Sequence, residues 1–368
     1  MYQSPQPFTP QPYSAAAPYE MPRPKRRRRK GPILLLLPLV FFGFMFFGLS
    51  YLVSPEPDVE IKPGVGFATV NGRQAVLVPY ERHGARGMFQ LMATDMFQVR
   101  LAAADPATGE VLWDAQLSDE LIWDAQVLAA GERYAYLATG SGLMVVDLHD
   151  GSVVAQGSGV EGLGGSYVAA PSAYGYDAAN KRVLAMNATG AVLALPLDAV
   201  AATPTDQATT AAWVATLSTR PTHKSASAHK AKLGSDANVE LRPRPGGGPG
   251  SVLVRIAADG TETQIGDAAF HGATIVLDGE MAAGAVSGHV LVKHDRSVND
   301  TGGELSAVSL ATGAVTGSLA IDTSPDGAVT RADGTTVVAA GGVLATTGAD
   351  GRVVAVAIGA TDFLGNPS

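Results

Sequence analysis

The sequence predicts an all-β fold: a β-propeller of about six to eight four-stranded blades, preceded by one transmembrane helix and a disordered tail. Three observations predict it. An uncharged apolar run lies near the N-terminus, short Val- and Ala-rich runs separated by Gly, Asp and Asn fill the chain from residue 59 onward, and this unit returns every ~40 to 50 residues, the length of one blade. The predicted divisions are a tail with a basic run at 1–30, a transmembrane helix at 31–54, a linker at 55–64, and a propeller at 65–368 with a loop insertion at 218–250.

The tail differs from the body in composition and charge. Residues 1–24 are rich in Pro, Gln, Ser and Ala, and such a segment buries too little apolar area to offset its ordering entropy, so it is predicted to be disordered. Residues 1–30 hold seven basic side chains and one acidic side chain, which leaves 19 basic against 33 acidic side chains for the rest of the chain. An acidic body without a basic stripe argues against nucleic-acid binding.

The apolar run Ile33–Val53 has 21 residues without a charge, enough to cross a ~30 Å hydrocarbon core as a helix. The basic run Lys25–Lys30 precedes it and acidic residues follow it. Because cytoplasmic flanks hold the excess of Lys and Arg, we expect a cell-membrane protein with a cytoplasmic N-terminus and an extracytoplasmic C-terminal domain. A cleaved signal peptide is the main alternative, but its apolar run is usually shorter and ends at small residues, which "SYLVSPEP" does not offer. A buried core helix is the other alternative.

The body shows strand and hairpin patterns. In "MFQVRLAAAD", Phe97, Val99, Leu101 and Ala103 alternate with the polar Gln98 and Arg100, as on the two faces of a strand. Further on, tight turns are predicted at Thr139 to Gly142, at Asn187 to Gly190, and around Asp350 and Gly351, because their residue types accept a positive φ.

The tetrapeptide WDAQ occurs twice, ten residues apart, in a chain with three tryptophans. We interpret "EVLWDAQL" as the outer strand of one blade, "SDE" as the crossing loop, and "LIWDAQVLAAG" as the innermost strand of the next blade. The two copies would then lie in different strands on either side of a seam between blades.

The first of these units resembles the repeat of quinoprotein-type propellers, the pyrroloquinoline-quinone-repeat-like family. The pattern A-x-D-x-x-T-G-x-x-x-W is matched in full by Ala103, Asp105, Thr108, Gly109 and Trp113. The resemblance implies that the Asp and Gly shape a turn and that the Trp packs between blades.

Two further copies of this repeat are degraded, so the resemblance covers about half of the chain. The matched positions, with their replacements, are Asp147, Asp150 and Gly151 with Ala155 for Trp, and Ala307, Thr312 and Gly313 with Ser309 for Asp and Gly317 for Trp. WD-repeat propellers are the near alternative, but neither Trp-Asp has a Gly-His pair about 25 residues before it.

Motifs for chemistry are weak. The chain has no cysteine, which excludes disulfides and cysteine-based metal or nucleophile sites. Its seven histidines form no HExxH pair, and no phosphate-binding or dinucleotide fingerprint is present. In "DTSPDGAVTRAD" the spacing of Asp322, Ser324, Asp326, Gly327 and Asp333 is that of a calcium loop, but Pro325 interrupts it and the last acid is Asp instead of Glu. The sequence leaves calcium binding at Asp322 to Asp333 open.

The sequence therefore predicts no catalytic, cofactor-binding or metal residues, no cofactor, and no enzymatic activity. We expect a membrane-tethered extracytoplasmic propeller that acts as a binding or scaffold module for another envelope protein, a cell-wall component or a ligand. The alternative is a quinoprotein-like or other extracytoplasmic enzyme that uses the propeller channel. In that family the quinone and calcium are held by acidic, amide and basic residues beside a vicinal Cys pair, and the sequence shows no such set.

Overall fold

The computed structural model describes residues 31–62, 64–120, 123–219 and 226–365, and side chains throughout these ranges except at 31–35 and 218–219. The tail predicted for residues 1–30 lies outside the described residues. The chain divides into two compact units, the first ending at Phe46 and the second beginning at Phe47.

The apolar segment near the N-terminus is helical. It consists of α1 (Gly31–Gly43), one π-helical stretch (Phe44–Leu49) and α2 (Ser50–Val53). The 18 residues Leu36–Val53 have a mean hydropathy of 2.2 and none of them is buried. By length and composition this helix can cross a membrane, as an anchor or as a signal sequence. The crossing itself stays a prediction.

The first three sheets follow one another along the chain, and their strands pair antiparallel. The first sheet has five strands, β1 (Asp58–Ile61), β2 (Gly66–Val70), β3 (Arg73–His83), β4 (Phe97–Ala104) and β5 (Val111–Ser118), with α3 (Gly87–Ala93) between β3 and β4. The second has β6 (Ala125–Ala130), β7 (Tyr134–Thr139), β8 (Gly142–Asp147) and β9 (Val153–Gln156). The third has β10 (Tyr174–Asp177), β11 (Arg182–Met186), β12 (Val192–Pro196) and β13 (Thr203–Pro204), and α4 (Gln207–Thr219) follows it.

The fourth sheet has ten strands, in the order β18-β17-β16-β15-β20-β19-β21-β22-β23 with β14 beside β19. These are β14 (Ser227–Ala228), β15 (Lys230–Lys232), β16 (Ala237–Pro243), β17 (Ser251–Ala257), β18 (Glu262–Gln264), β19 (His271–Asp278), β20 (Met281–Ala282), β21 (His289–Ser297), β22 (Asp300–Ser309) and β23 (Val315–Ala320). The fifth has β24 (Gly327–Thr330), β25 (Thr336–Ala340), β26 (Val343–Thr347) and β27 (Val353–Val356). Short 3₁₀ helices lie at Gly157–Gly159, Gly164–Ser166, Pro171–Ala173 and Ala285–Ser287.

The loop insertion predicted at 218–250 includes strands in the structure. β14, β15 and β16 lie inside this range, and α4 ends at Thr219. The polar residues that suggested a loop alternate with Ala231, Val239 and Leu241, which are buried. A strand with one exposed face needs only every second residue to be apolar, so a polar composition does not by itself indicate a loop.

The two WDAQ segments lie as predicted, in two different sheets. The first forms part of β5, the last strand of the first sheet, and the second leads into β6, the first strand of the next sheet. Trp113 donates a hydrogen bond from Nε1 to the Leu148 carbonyl oxygen (2.9 Å), and its ring lies against Gly151. Trp113 thus links the outer strand of one sheet to a turn of the next.

The repeat signature forms one kind of turn, which occurs between β4 and β5, between β8 and β9, and between β22 and β23. In the turn Asp105–Gly109, the Gly N–H donates to the Asp carbonyl oxygen (2.8 Å), and Gly109 has a φ of +76°. The same hydrogen bond closes the turns Asp147–Gly151 (2.9 Å) and Ser309–Gly313 (2.8 Å). A side-chain oxygen at the first position also accepts backbone N–H groups in each turn. Asp and Ser are therefore interchangeable there, because both supply this oxygen.

Buried side chains join neighbouring sheets, and the last sheet packs on the first. The core between the first and second sheets contains Leu77 and Leu137. The core between the fifth and first sheets contains Val337 and Val78, with Ile358 from the C-terminal segment. Sheets that follow in chain order, with the last packed on the first, have the arrangement of a β-propeller.

Candidate binding site beside helix α4

Five buried clusters join neighbouring groups of strands, but none within the described ranges joins the third sheet to β15–β18. The third sheet instead shares a small cluster with α4, formed by Leu184, Val192, Ala194 and Trp213. In a closed propeller both faces of each blade are covered by neighbouring blades. The ring of shared cores is therefore interrupted at this point, and a helix covers the sheet face that a neighbouring blade would cover.

Two corresponding turns, one between β26 and β27 and one between β17 and β18, show the same interruption. A Cβ added to Gly351, in the turn between β26 and β27, would overlap the Thr316 hydroxyl and the His289 ring of the preceding sheet. A Cβ added to Gly260, in the turn between β17 and β18, would meet no atom within 4 Å. The turn of β17 and β18 thus has no sheet packed against it among the described residues.

The start of α4 is fixed by its own sequence. The Asp206 carboxylate accepts the Thr209 N–H at 2.7 Å, which satisfies one of the free N–H groups of the first turn. This N–H, followed by the Thr209 hydroxyl, holds the pKa of Asp206 below its ordinary value. Thr205 donates its hydroxyl to the Val192 carbonyl oxygen (2.9 Å), so the start of the helix is tied to β12.

Trp213 holds α4 on the sheet. Its side chain is 7% exposed and packs on Leu184 and directly over Gly175 of β10. A Cβ at Gly175 would overlap the indole and lie 2.8 Å from its Cζ3 atom, so the close approach of the ring requires glycine.

A groove of about 360 Å³ remains between α4 and the third sheet. It is lined by Tyr176, Asp177, Asn180, Arg182, Leu184, Thr209, Ala212, Trp213 and Thr216. An ion pair between Arg182 and Asp177 (2.9 Å) lies in it, and Asn180 donates to the same carboxylate (2.8 Å). The Asn180 amide, followed by the Arg182 guanidinium, holds the pKa of Asp177 below its ordinary value. Since Arg182 also reaches the Thr209 hydroxyl (3.3 Å), the polar wall of the groove is connected to the helix.

The side of α4 away from the sheet is uncharged and exposed. The helix sequence QATTAAWVATLST contains no charged residue. Val214 is 43% exposed, and Ala211 and Ala215 are exposed beside it. Surface helices of soluble proteins usually carry charged residues on this side, and α4 carries none.

The face of β15–β18 that lies away from the fourth-sheet core carries several ion pairs. Arg242 pairs with Glu262 (2.5 Å) and with Glu240 (3.2 Å), and Lys230 lies 3.8 Å from Glu240. These ion pairs are partly exposed, so each contributes little stability. On the same face, Val254 and Val252 lie opposite Glu240 and Arg242 and are buried, so this face carries both charged and apolar side chains.

The possible calcium loop is partly engaged in local hydrogen bonds. Asp326 accepts the Gly341 N–H at 3.0 Å, and Asp333 binds Arg331 and the Thr335 N–H. The Arg331 guanidinium holds the pKa of Asp333 far below its ordinary value. Two of the five residues named from the sequence are thus engaged in hydrogen bonds, Asp333 within its own turn and Asp326 with the turn between β25 and β26.

Another group of possible metal ligands was not recognised in the sequence, because it joins two strands. Among the described residues, Glu60, Glu81 and His83 place ligand atoms within 4.8 Å of one another. Lys62 lies 2.9 Å from Glu81 and 3.3 Å from Glu60. Its ammonium group supplies the positive charge that a cation would bring, so the geometry favours an ion-pair cluster.

The first sheet also buries charged side chains at one end. Arg100 lies on the face of β4 that the sequence pattern marks as polar. It is nevertheless buried, and it forms an ion pair with Asp114 at 2.8 Å. Arg82 is 1% exposed, and its guanidinium nitrogens have no hydrogen-bond partner among the described residues. Burial, and next the charge of Arg100, lower the pKa of Arg82.

No protein-family model and no curated protein matches the chain. Solved structures are similar at low identity. They include the apo AtxE2 isopeptidase (11% identity, TM-score 0.41, 85% of this chain and 56% of that one) and BamB from Moraxella catarrhalis (13%, TM-score 0.26, 79% and 83%). A puromycin hydrolase matches with 15% identity and a TM-score of 0.25, over 85% of this chain and 48% of that one. The chain spans about half the length of these two hydrolases.

The prediction that the protein has no enzymatic activity is contradicted by these comparisons, because hydrolases are among the structures that the chain resembles. The prediction depended on the lack of a sequence motif. Catalytic groups from distant positions come together only in the fold, so a missing motif does not exclude an activity. The hydrolytic activities named here are those of the similar proteins.

Proposed function

We propose that the protein is a membrane-anchored β-propeller that binds a protein partner outside the cytoplasm, through the groove and the exposed face of α4. The observation that carries this proposal is the interrupted ring. A helix without charged residues stands where a sheet-to-sheet contact is expected, and Val214 on its outer face is 43% exposed.

The proposal includes six blades of four strands. In it, the ten-stranded sheet counts as two blades, β15–β18 and β19 with β21–β23, because a buried core containing Val239 and Ile275 lies between them. In the first sheet, β1 and β2 both pair with β3, along different parts of its length, and together take the innermost position. The repeated Asp–Gly turns support a quinoprotein-type repeat.

The anchor in this proposal is the helix Leu36–Val53, with residues 1–30 in the cytoplasm and the propeller from residue 65 onward on the other side. The basic run Lys25–Lys30 supports this orientation. A binding module held at a membrane surface meets partners of the same envelope at a raised effective concentration, so a modest interface is sufficient.

A protein segment suits the site better than a small ligand does. The groove is open along α4, and it offers a wide aromatic surface at Tyr176 together with a preformed polar group at Asp177 and Arg182. Aromatic residues beside a fixed arginine are typical of protein interfaces. The small side chains on the outer face of α4 allow another backbone to approach closely.

The test places a photo-crosslinking amino acid at Val214 on α4 and, as a matched control, at Val286, which is a similar exposed valine away from the site. The full chain is expressed in its own membrane, irradiated and purified. We expect one stoichiometric crosslinked protein at Val214 that is missing at Val286. Equal products at the two positions, or none at Val214 under conditions that label Val286, would refute the binding proposal.

A further inference from the structure

The last turns of the apolar helix are attached directly to the propeller. Tyr51 donates its hydroxyl to the Thr361 carbonyl oxygen (3.2 Å), and the Ser50 hydroxyl accepts the Met88 N–H (3.0 Å). Arg86 donates to the Tyr51 carbonyl oxygen (3.3 Å), and its guanidinium lies 4.6 Å from the centroid of the Tyr51 ring. These contacts, all within the second unit, hold Ser50 and Tyr51 against α3 and the C-terminal segment.

The short helix α3 is fixed beside this helix end. Gln90, which has no exposed surface, accepts the Arg86 N–H (2.9 Å) and donates to the Asp362 carbonyl oxygen (2.8 Å). Phe89 stacks on Phe363 with ring centroids 5.4 Å apart. One side of α3 is therefore used for contacts with the helix end and the C-terminal segment.

The other side of α3 is apolar and exposed. Met92 is 73% exposed and Leu91 is 46% exposed, and Met96 and Leu364 nearby are about half exposed. α3 itself, residues 87–93, contains no charged side chain. Isolated exposed apolar residues are common, but a group of four large ones around one helix end indicates a contact surface.

The position of this group identifies its partner. Leu52 and Val53, the last residues of the apolar helix, are also strongly exposed, and they are continuous in the chain with the apolar residues from Leu36 onward. A helix that leaves a bilayer at Val53 places the elements attached to its last turn at the level of the lipid headgroups. Apolar side chains in this interfacial layer are covered to a depth of about 5–10 Å.

We propose that Leu91, Met92, Met96 and Leu364 form a second membrane-contact surface, which lies in the interfacial layer of the bilayer that Leu36–Val53 crosses. This inference rests on the membrane anchor of the proposed function. The contacts between α3 and Ser50–Tyr51 keep this surface next to the residues at which the chain leaves the bilayer.

The chain has no cysteine, so single cysteines can be introduced for spin labelling without further changes. The full chain would be labelled at Met92→Cys or Leu364→Cys, reconstituted in vesicles of phosphatidylethanolamine and phosphatidylglycerol, and measured by EPR power saturation with oxygen and with a water-soluble nickel chelate. Phe41→Cys reports on the anchor. Val286→Cys is the aqueous control. In the proposed blades, its loop joins the first strand (β19) to the second (β21), whereas α3 joins the second strand (β3) to the third (β4). The two connections therefore lie at opposite ends of the strands.

We expect Met92 and Leu364 labels to have oxygen-to-nickel accessibility ratios several-fold above that of the Val286 label, at interfacial depth, with Phe41 deeper. If Phe41 is in the bilayer but Met92 and Leu364 match Val286, the second contact surface is refuted and the anchor stands. If the Phe41 label is itself as accessible to nickel as the Val286 label, the anchor is refuted, and the inference with it.

Discussion

The interruption of the propeller ring can be tested with two glycines in nearly identical turns. Gly260 and Gly351 both follow Ala-Asp and have φ values of +84° and +73°. Gly260 lies between β17 and β18, and Gly351 lies between β26 and β27. In both turns the Asp side chain accepts the N–H two residues later, at 2.9 and 3.0 Å. The two sites differ in their neighbours, because only Gly351 is packed against the preceding sheet.

Replacing either glycine by alanine places a Cβ in the left-handed region, which costs about 1–2 kcal/mol. Gly260→Ala should cost only this amount, since its Cβ meets no atom within 4 Å. Gly351→Ala must in addition displace the Thr316 hydroxyl and the His289 ring. Overpacking of this kind adds about 1–3 kcal/mol. We therefore expect Gly351→Ala to be more destabilising than Gly260→Ala by about 1–3 kcal/mol.

Urea unfolding of the detergent-solubilised full chain, followed by circular dichroism, measures both free energies of unfolding. A shift of the midpoint without a change in slope shows that stability alone has changed. If Gly260→Ala proves as destabilising as Gly351→Ala, a neighbouring surface covers the turn of β17 and β18. The ring would then be closed, and the proposed binding site would not be open.

Three further predictions concern packing and charge. Gly175→Ala should destabilise the protein by about 1–3 kcal/mol and increase acrylamide quenching of Trp213, because the new Cβ overlaps the indole. Gly327→Ala is the control, because Gly327 also lies in a strand but has no atom near its Cβ position. It should change the free energy of unfolding by less than about 0.5 kcal/mol. Arg82→Met should raise the free energy of unfolding by about 1 kcal/mol or more, because it removes a buried charge without a hydrogen-bond partner, and an unchanged or lower urea midpoint would contradict this. Burial raises the pKa of Asp198, but the hydrogen bonds from three backbone N–H groups together lower it by more. The pKa in the folded state is therefore below its ordinary value. The stability that this carboxylate contributes is present above about pH 4 and is lost as the pH falls through the folded pKa, so Asp198→Asn should lose less stability than the wild type between pH 7 and pH 3, and equal losses would refute this.

Local chemistry predicted the hairpins and the seam between the first two sheets. Gly142, Gly190 and Gly351 have the positive φ values expected of their turns, because this conformation depends on the residue itself. The two WDAQ segments lie in different sheets because strand length and turn residues limit how far each strand extends. The range 218–250 was predicted as a loop, since polar strands with one exposed face have the same composition as loops.

The sequence by itself determined several strands with their hairpin turns and the apolar helix, because each depends on residues close together in the chain. It did not reveal the groove, in which Trp213 of α4 meets Gly175 of β10, since nothing in either segment indicates that the other covers it. Nor did it show that α3 lies beside the end of the apolar helix. Only the tertiary structure decided which faces are covered and which remain open, because burial depends on contacts between segments far apart in sequence, and both the proposed partner site and the proposed membrane contact are faces of this open kind.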